Sequence, residues 1–139
     1  RINNMNQKIL ILHGPNLNLI GIKSKQEGTT LTLSKINTNL RKIASKQGVK
    51  LKIIQTHSQN KANKFIHSNR NKALGILIIP QSWNNYGFIL KESLELLEMV
   101  YISIQFDNTK SIFNNIVYNR DPLKAYSAGL EKLIKRITL

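Results

Sequence analysis

The chain has 139 residues, 41% of them hydrophobic, and carries a formal charge of +14 from 21 Lys and Arg against seven Asp and Glu. That length and apolar content describe one domain able to bury a core, which excludes a disordered chain. There is no cysteine, which excludes disulfides, thiolate catalysis and cysteine metal sites, and no apolar run approaches the roughly 18 residues of a membrane span.

Residues 1–7 read as a flexible lead without the apolar segment of a signal peptide. Ile9 to Leu12 is a short apolar run that stops at His13-Gly14-Pro15, the pattern of a buried strand ending in a sharp turn. Asn16 to Gly21 follows as a loop with two amide side chains. A buried strand that feeds polar groups into a loop at its C-terminal end is where open α/β sheets hold ligands. Ile22 to Thr30 is polar and contains glycine, so it is expected to be a loop and a candidate lid.

Thr32 or Ser34 can cap the next element. Leu33, Ile36, Leu40, Ile43 and Ala44 recur at helical spacing, and Gly48 stops them, giving a helix over 33–47. Its outer face carries Lys35, Lys42 and Lys46. Residues 49–55 alternate and then become apolar, a second strand. Residues 60–69 predict a short helix burying Ala62, Phe65 and Ile66. Residues 73–80 form the most apolar strand, expected at the centre of a sheet. A loop at 81–85 precedes a helix over 86–99 expected to bury Phe88, Ile89, Leu94 and Leu97, with Leu90 as a further candidate. Glu92, Glu95 and Glu98, three of the seven acids, lie on it. Residues 100–106 predict a fourth strand and residues 112–118 a short edge strand. Asp121-Pro122 opens a terminal helix, with Asp as N-cap and Pro as first residue. Strands alternating with helices across short loops predict a single α/β domain, a doubly wound parallel sheet of four to five strands with helices on both faces.

The segment Gly14 to Gly21, GPNLNLIG, placed directly after a first strand, resembles the type II 3-dehydroquinate dehydratases. Thr32-Leu33, Gly48-Val49, Gln55, Phe65-Ile66-His67, Gly75 to Ile78 with Pro80, Asn108, and Tyr126 to Leu133 fit the same family in register. The resemblance implies a flavodoxin-like fold, trimers packed into a dodecamer, and a cofactor-free trans elimination of water through an enolate. It also implies a lid tyrosine as base with an arginine beside it, a histidine after the fourth strand as acid, and substrate-binding amides. Counted without gaps, the arginine position holds Lys23 and the tyrosine position Gly28. The histidine position holds Gln105, followed by Asp107 and Asn108. The loop after the third strand has Ile79 and Asn85 where the family has Asn and His. Asn16, Asn18 and Glu92 keep family-like chemistry.

An amide does not titrate and glycine has no side chain, so base and acid are both missing from their family positions. Lys23 or Glu27 can stand in as base, and Asp107 lies near the lost acid. His13 and His57 form a candidate pair, with no third ligand at sensible spacing for a metal. Trp83 and Tyr86 can stack on a base, with loop packing the plainer reading.

Two functions follow. The charge surplus and the lost acid and base point to an inactive family member reused as an RNA-binding structural subunit of a ribonucleoprotein, a mitochondrial ribosome being the expected setting. Its RNA footprint would be Lys35, Lys42, Lys46, Lys50, Lys52, Lys61, Lys64 and Arg70, with Lys132, Lys135 and Arg136 as a second patch. The same surplus also follows from AT-rich coding, which favours Asn, Ile and Lys. The alternative function is a divergent, active 3-dehydroquinate dehydratase, able to form the family's homo-oligomer.

Overall fold

A computed structural model describes residues 7–138. Apart from Gln7, the expected flexible lead lies outside the described residues. The strands are β1 (Lys8–His13), β2 (Lys50–Gln55), β3 (Ala73–Ile79), β4 (Tyr101–Gln105) and β5 (Ile116–Tyr118). The helices are α1 (Ile20–Gln26), α2 (Leu33–Lys46), α3 (Gln59–Asn69), α4 (Phe88–Leu96) and α5 (Pro122–Ile137). All strand pairs are parallel, in the order β2-β1-β3-β4-β5. This is the flavodoxin-like order, and its direction reverses between β1 and β3.

The alternation of β1 sets the two layers. Ile9 and Ile11 face a core shared with Ile36 and Leu40 of α2 and with Tyr126, Leu130 and Leu133 of α5. Leu10 and Leu12 face the opposite core, shared with Phe65 and Ile66 of α3 and with Leu90 and Leu94 of α4. The predicted caps form. Thr32 accepts from the Lys35 amide and Asp121 from the Lys124 amide, with Pro122 in the first helical turn.

Two expectations are corrected. The polar stretch after Gly21 is not all loop: Ile20–Gln26 is helical. Ile20 and Ser24 are buried, and the Ser24 hydroxyl accepts from the Leu31 amide at 2.7 Å, which ties the segment down. The fourth helix is also shorter than 86–99 and rotated. Leu90 and Leu94, one turn apart, face the sheet, which puts Phe88 and Ile89 on the outside at 61% and 58% exposure. Trp83 is buried in a 3-10 turn at Gln81–Asn84, so it packs the loop and is not available to stack on a base.

Of the seven glycines, Gly14 leaves the least room for a side chain. A Cβ there would sit 2.5 Å from the Ile79 carbonyl oxygen and 2.7 Å from that of Pro80, both backbone atoms. The Gly14 amide itself donates to the Ile79 oxygen at 2.8 Å. Gly14→Ala is therefore expected to destabilise the fold by on the order of 2–3 kcal/mol, measured by urea unfolding, because backbone cannot yield as a side chain can. A midpoint equal to that of the unmodified chain would contradict the close packing of these two strand exits.

Candidate active site

The loops leaving β1, β3, β4 and β5 surround a cavity of about 910 Å³ at the C-terminal edge of the sheet. This is the switch-point location of open α/β sheets, and the volume suits a small-molecule ligand. Asn16 and Leu19 line it from the turn after β1, and Ile20, Ile22, Lys23 and Glu27 from α1 and its end. Gln81 contributes from the exit of β3, Phe106, Asp107 and Asn108 from β4, and Tyr118 and Arg120 from β5. Asn16 and Gln81 are non-glycine residues at φ of 67° and 53°. Such strain persists only where surrounding structure enforces it, and it gathers at functional sites.

The floor of this region is fixed by His13, which is wholly buried. Its Nε2 lies 2.8 Å from Asn37 Oδ1, which can only accept, so Nε2 carries the proton. Its Nδ1 then accepts the Tyr126 hydroxyl at 2.7 Å. Burial pushes the imidazole down from 6.5 to about 4, against the Asn37 bond that favours the charged form. The Tyr126 phenol is pushed well above its ordinary value by the same burial. His13 is thus a neutral structural hub. His57 is exposed in the turn after β2, so the expected His13/His57 pair does not form. Among the described residues no group of three His, Asp or Glu side chains comes together as a metal-ligand set.

The ionisable groups in the cavity differ in what already engages them. Asp107 accepts from the Thr109 hydroxyl at 2.6 Å and the Thr109 amide at 3.2 Å. Those two bonds, with a smaller contribution from Lys23, hold its carboxyl below the usual range. Lys23 and Asp107 are therefore electrostatic neighbours. Of the four charges in the cavity only Asp107 is hydrogen-bonded; among the described residues the Lys23, Glu27 and Arg120 side chains make no hydrogen bond or ion pair.

The other sequence-based candidates divide. Asn16, Lys23, Asp107 and Asn108 line the cavity. Asn18 is exposed outside it, which corrects the view that both amides of the turn serve the pocket. Gly28, at φ +81°, ends the turn after α1 with open space around it. Gln105 is buried and donates from Nε2 to the Thr109 carbonyl at 2.7 Å, shaping the turn that carries Asp107. With Asn85 it faces an adjoining hollow of about 320 Å³ that shares Gln81, Phe106 and Asp107 with the main cavity. Glu92 is exposed on α4, outside both. Gln81, Tyr118 and Arg120 were not singled out by sequence. Their shared signal is position at a strand exit, which becomes visible only once β5 is placed.

The proposed RNA footprint is spread over both faces of the sheet and the β2 edge between them. Lys35, Lys42 and Lys46 are on α2, on the same side of the sheet as α5 with its Lys132, Lys135 and Arg136. Lys61 and Lys64 on α3, with Arg70 at its end, lie on the opposite side, and Lys50 and Lys52 are on the edge strand β2.

A model of the class II dehydroquinase family matches residues 7–136. The chain belongs to the class II dehydroquinases. A 3-dehydroquinate dehydratase of Roseiflexus castenholzii is 32% identical over 117 residues, covering 84% of this chain and 69% of that one. One from Buchnera aphidicola is 30% identical, covering 90% and 77%. In fold, the chain is similar to the type II dehydroquinase of Butyrivibrio crossotus with a TM-score of 0.82 at 19% identity, over 94% of this chain and 99% of that one. The enzyme from Propionibacterium acnes gives 0.80 at 23%, covering 96% and 99%.

These matches overturn the reading of the chain as an inactive, RNA-binding ribosomal subunit: the relatives are named for the dehydratase, and none of those matches points to a ribonucleoprotein. Net charge misled because it counts residues without placing them, and the structure scatters the basic residues over both faces.

The buried imidazole has a stability consequence. The unfolded His13 takes up a proton near pH 6.5, but the folded one does so only near 4. Its contribution is complete above pH 6.5 and is lost as pH falls toward 4, on the order of 3 kcal/mol over that window. Urea unfolding between pH 7.5 and 4.5 should show this slope, and His13→Gln should remove it. An unchanged slope in the variant would assign the pH dependence to other groups.

Proposed function

We propose that this dehydroquinase-family chain is an active 3-dehydroquinate dehydratase that works in the cavity at the sheet's C-terminal edge with a rearranged set of groups. The observation that carries the reading is the convergence of Lys23, Glu27, Asp107, Tyr118 and Arg120 on this one cavity, although the family's base and acid positions hold Gly28 and Gln105. The reaction needs a base for the proton beside the carbonyl, hydrogen-bond donors for the enolate oxygen, and a proton for the departing hydroxyl.

Of the two carboxylates, Asp107 is occupied by Thr109, whereas Glu27 is free to accept. Glu27 is the base. It breaks the C–H bond beside the carbonyl, and the electron pair moves onto the carbonyl oxygen as the enolate. The amide groups of Asn16 and Gln81, on strained backbone at the cavity wall, are the donors for that oxygen. When the enolate collapses, the C–O bond breaks and the hydroxyl leaves as water with a proton from the Lys23 ammonium, which lines the same cavity. Glu27 then returns its proton to solvent, and Lys23 regains one. No cofactor enters this balance.

Mixing the purified chain with 3-dehydroquinate and following the absorbance of the conjugated product tests the reading. Turnover above the buffer rate is expected, and a rate equal to buffer at millimolar substrate would overturn it. Glu27→Gln is expected to lower kcat by roughly 1,000-fold with KM changed by less than about threefold. Retention of full kcat would move the base elsewhere in the cavity.

A further inference from the structure

We infer that Arg120, a residue outside the family motifs, is the anchor for the carboxylate of the cavity's ligand and so sets its specificity for carbocyclic acids. The inference rests on the dehydratase reading for the identity of the ring, but not for the charge of the ligand. Two cations line the cavity, Lys23 and Arg120. Lys23 already has a carboxylate neighbour in Asp107. Arg120 has no hydrogen bond or ion pair among the described residues, although Asp121 is its chain neighbour. Asp121 is committed to the Lys124 amide at the start of α5. An arginine at a cavity wall without an internal acid is a receptor for an external one, and its planar fork matches a carboxylate through two parallel hydrogen bonds.

The position of Arg120 is well supported. Tyr118, two residues earlier, pairs in register with the buried Gln105 of β4, so the exit of β5 is held by the sheet. Pro122 and the Asp121 cap fix the other side. Arg120 therefore projects from a short connection between two anchored elements. The same cavity is lined by Ile22, Phe106 and Tyr118, apolar surface that suits the faces of a six-membered carbocycle, and by Lys23, Asn16 and Gln81, the groups assigned to the reaction.

The test uses the full chain and two readouts. The first is the KM for 3-dehydroquinate. The second is calorimetric affinity for quinate, the ring acid whose carbonyl is reduced to an alcohol and which cannot form the enolate. Arg120→Gln is expected to raise KM and the quinate dissociation constant by on the order of 30-fold with kcat changed by less than about threefold, and Arg120→Lys is expected to recover part of the loss. The amide of quinate should bind the unmodified chain as weakly as quinate binds Arg120→Gln. Equal affinities for quinate in the unmodified chain and Arg120→Gln, or no quinate binding by either, would overturn the anchor. Arg120-dependent quinate binding without turnover would support the anchor and overturn the dehydratase reading alone.

Discussion

The His13 imidazole, buried at the end of β1, joins that strand to α2 through Asn37 and to α5 through Tyr126. Two hydrogen bonds with fixed donor and acceptor roles leave the ring one tautomer and one orientation. The turn at Gly14 and Pro15 begins at the next residue, with Gly14 pressed against the exit of β3. The direction in which Asn16 and α1 leave the sheet therefore depends on a histidine that must stay neutral. A polar hub of this kind costs stability when it is half-satisfied, and it specifies one arrangement when complete.

The cavity built on that floor separates charges that are engaged from charges that are free. Asp107 is fixed by Thr109 and lies beside Lys23, and Gln105 in turn holds the Thr109 carbonyl. Among the described residues Glu27 and Arg120 have no hydrogen bond or ion pair. Both line the cavity, together with the apolar side chains of Ile22 and Phe106.

Much of the fold was legible in the sequence because its signals are local. The apolar runs at Ile9–Leu12 and Leu74–Ile79 could only be buried strands, and the Asp121-Pro122 pair marked the start of α5. The helix α1 was not legible. Its sequence IGIKSKQ is polar with no side-chain cap, and tertiary ties at Ile20 and Ser24 hold it. Tyr118 and Arg120 escaped notice for a related reason. Their place in the site follows from the pairing of β5 with β4, a long-range contact that no spacing within the segment encodes. The charge surplus was visible from the composition, but its arrangement was not. The lysines grouped into one footprint lie on α2, on α3 and on the edge strand β2, with α2 and α3 on opposite sides of the sheet.

Backbone amide chemical-shift mapping during titration with 3-dehydroquinate tests the central claim most directly, because it locates the ligand whatever the rate of turnover. Shifts concentrated at Asn16, Lys23 to Glu27, Gln81, Phe106 to Asn108 and Tyr118 to Arg120 are predicted. Shifts confined to the lysine-bearing outer faces of α2 or α3, or no shifts at millimolar ligand, would contradict the account.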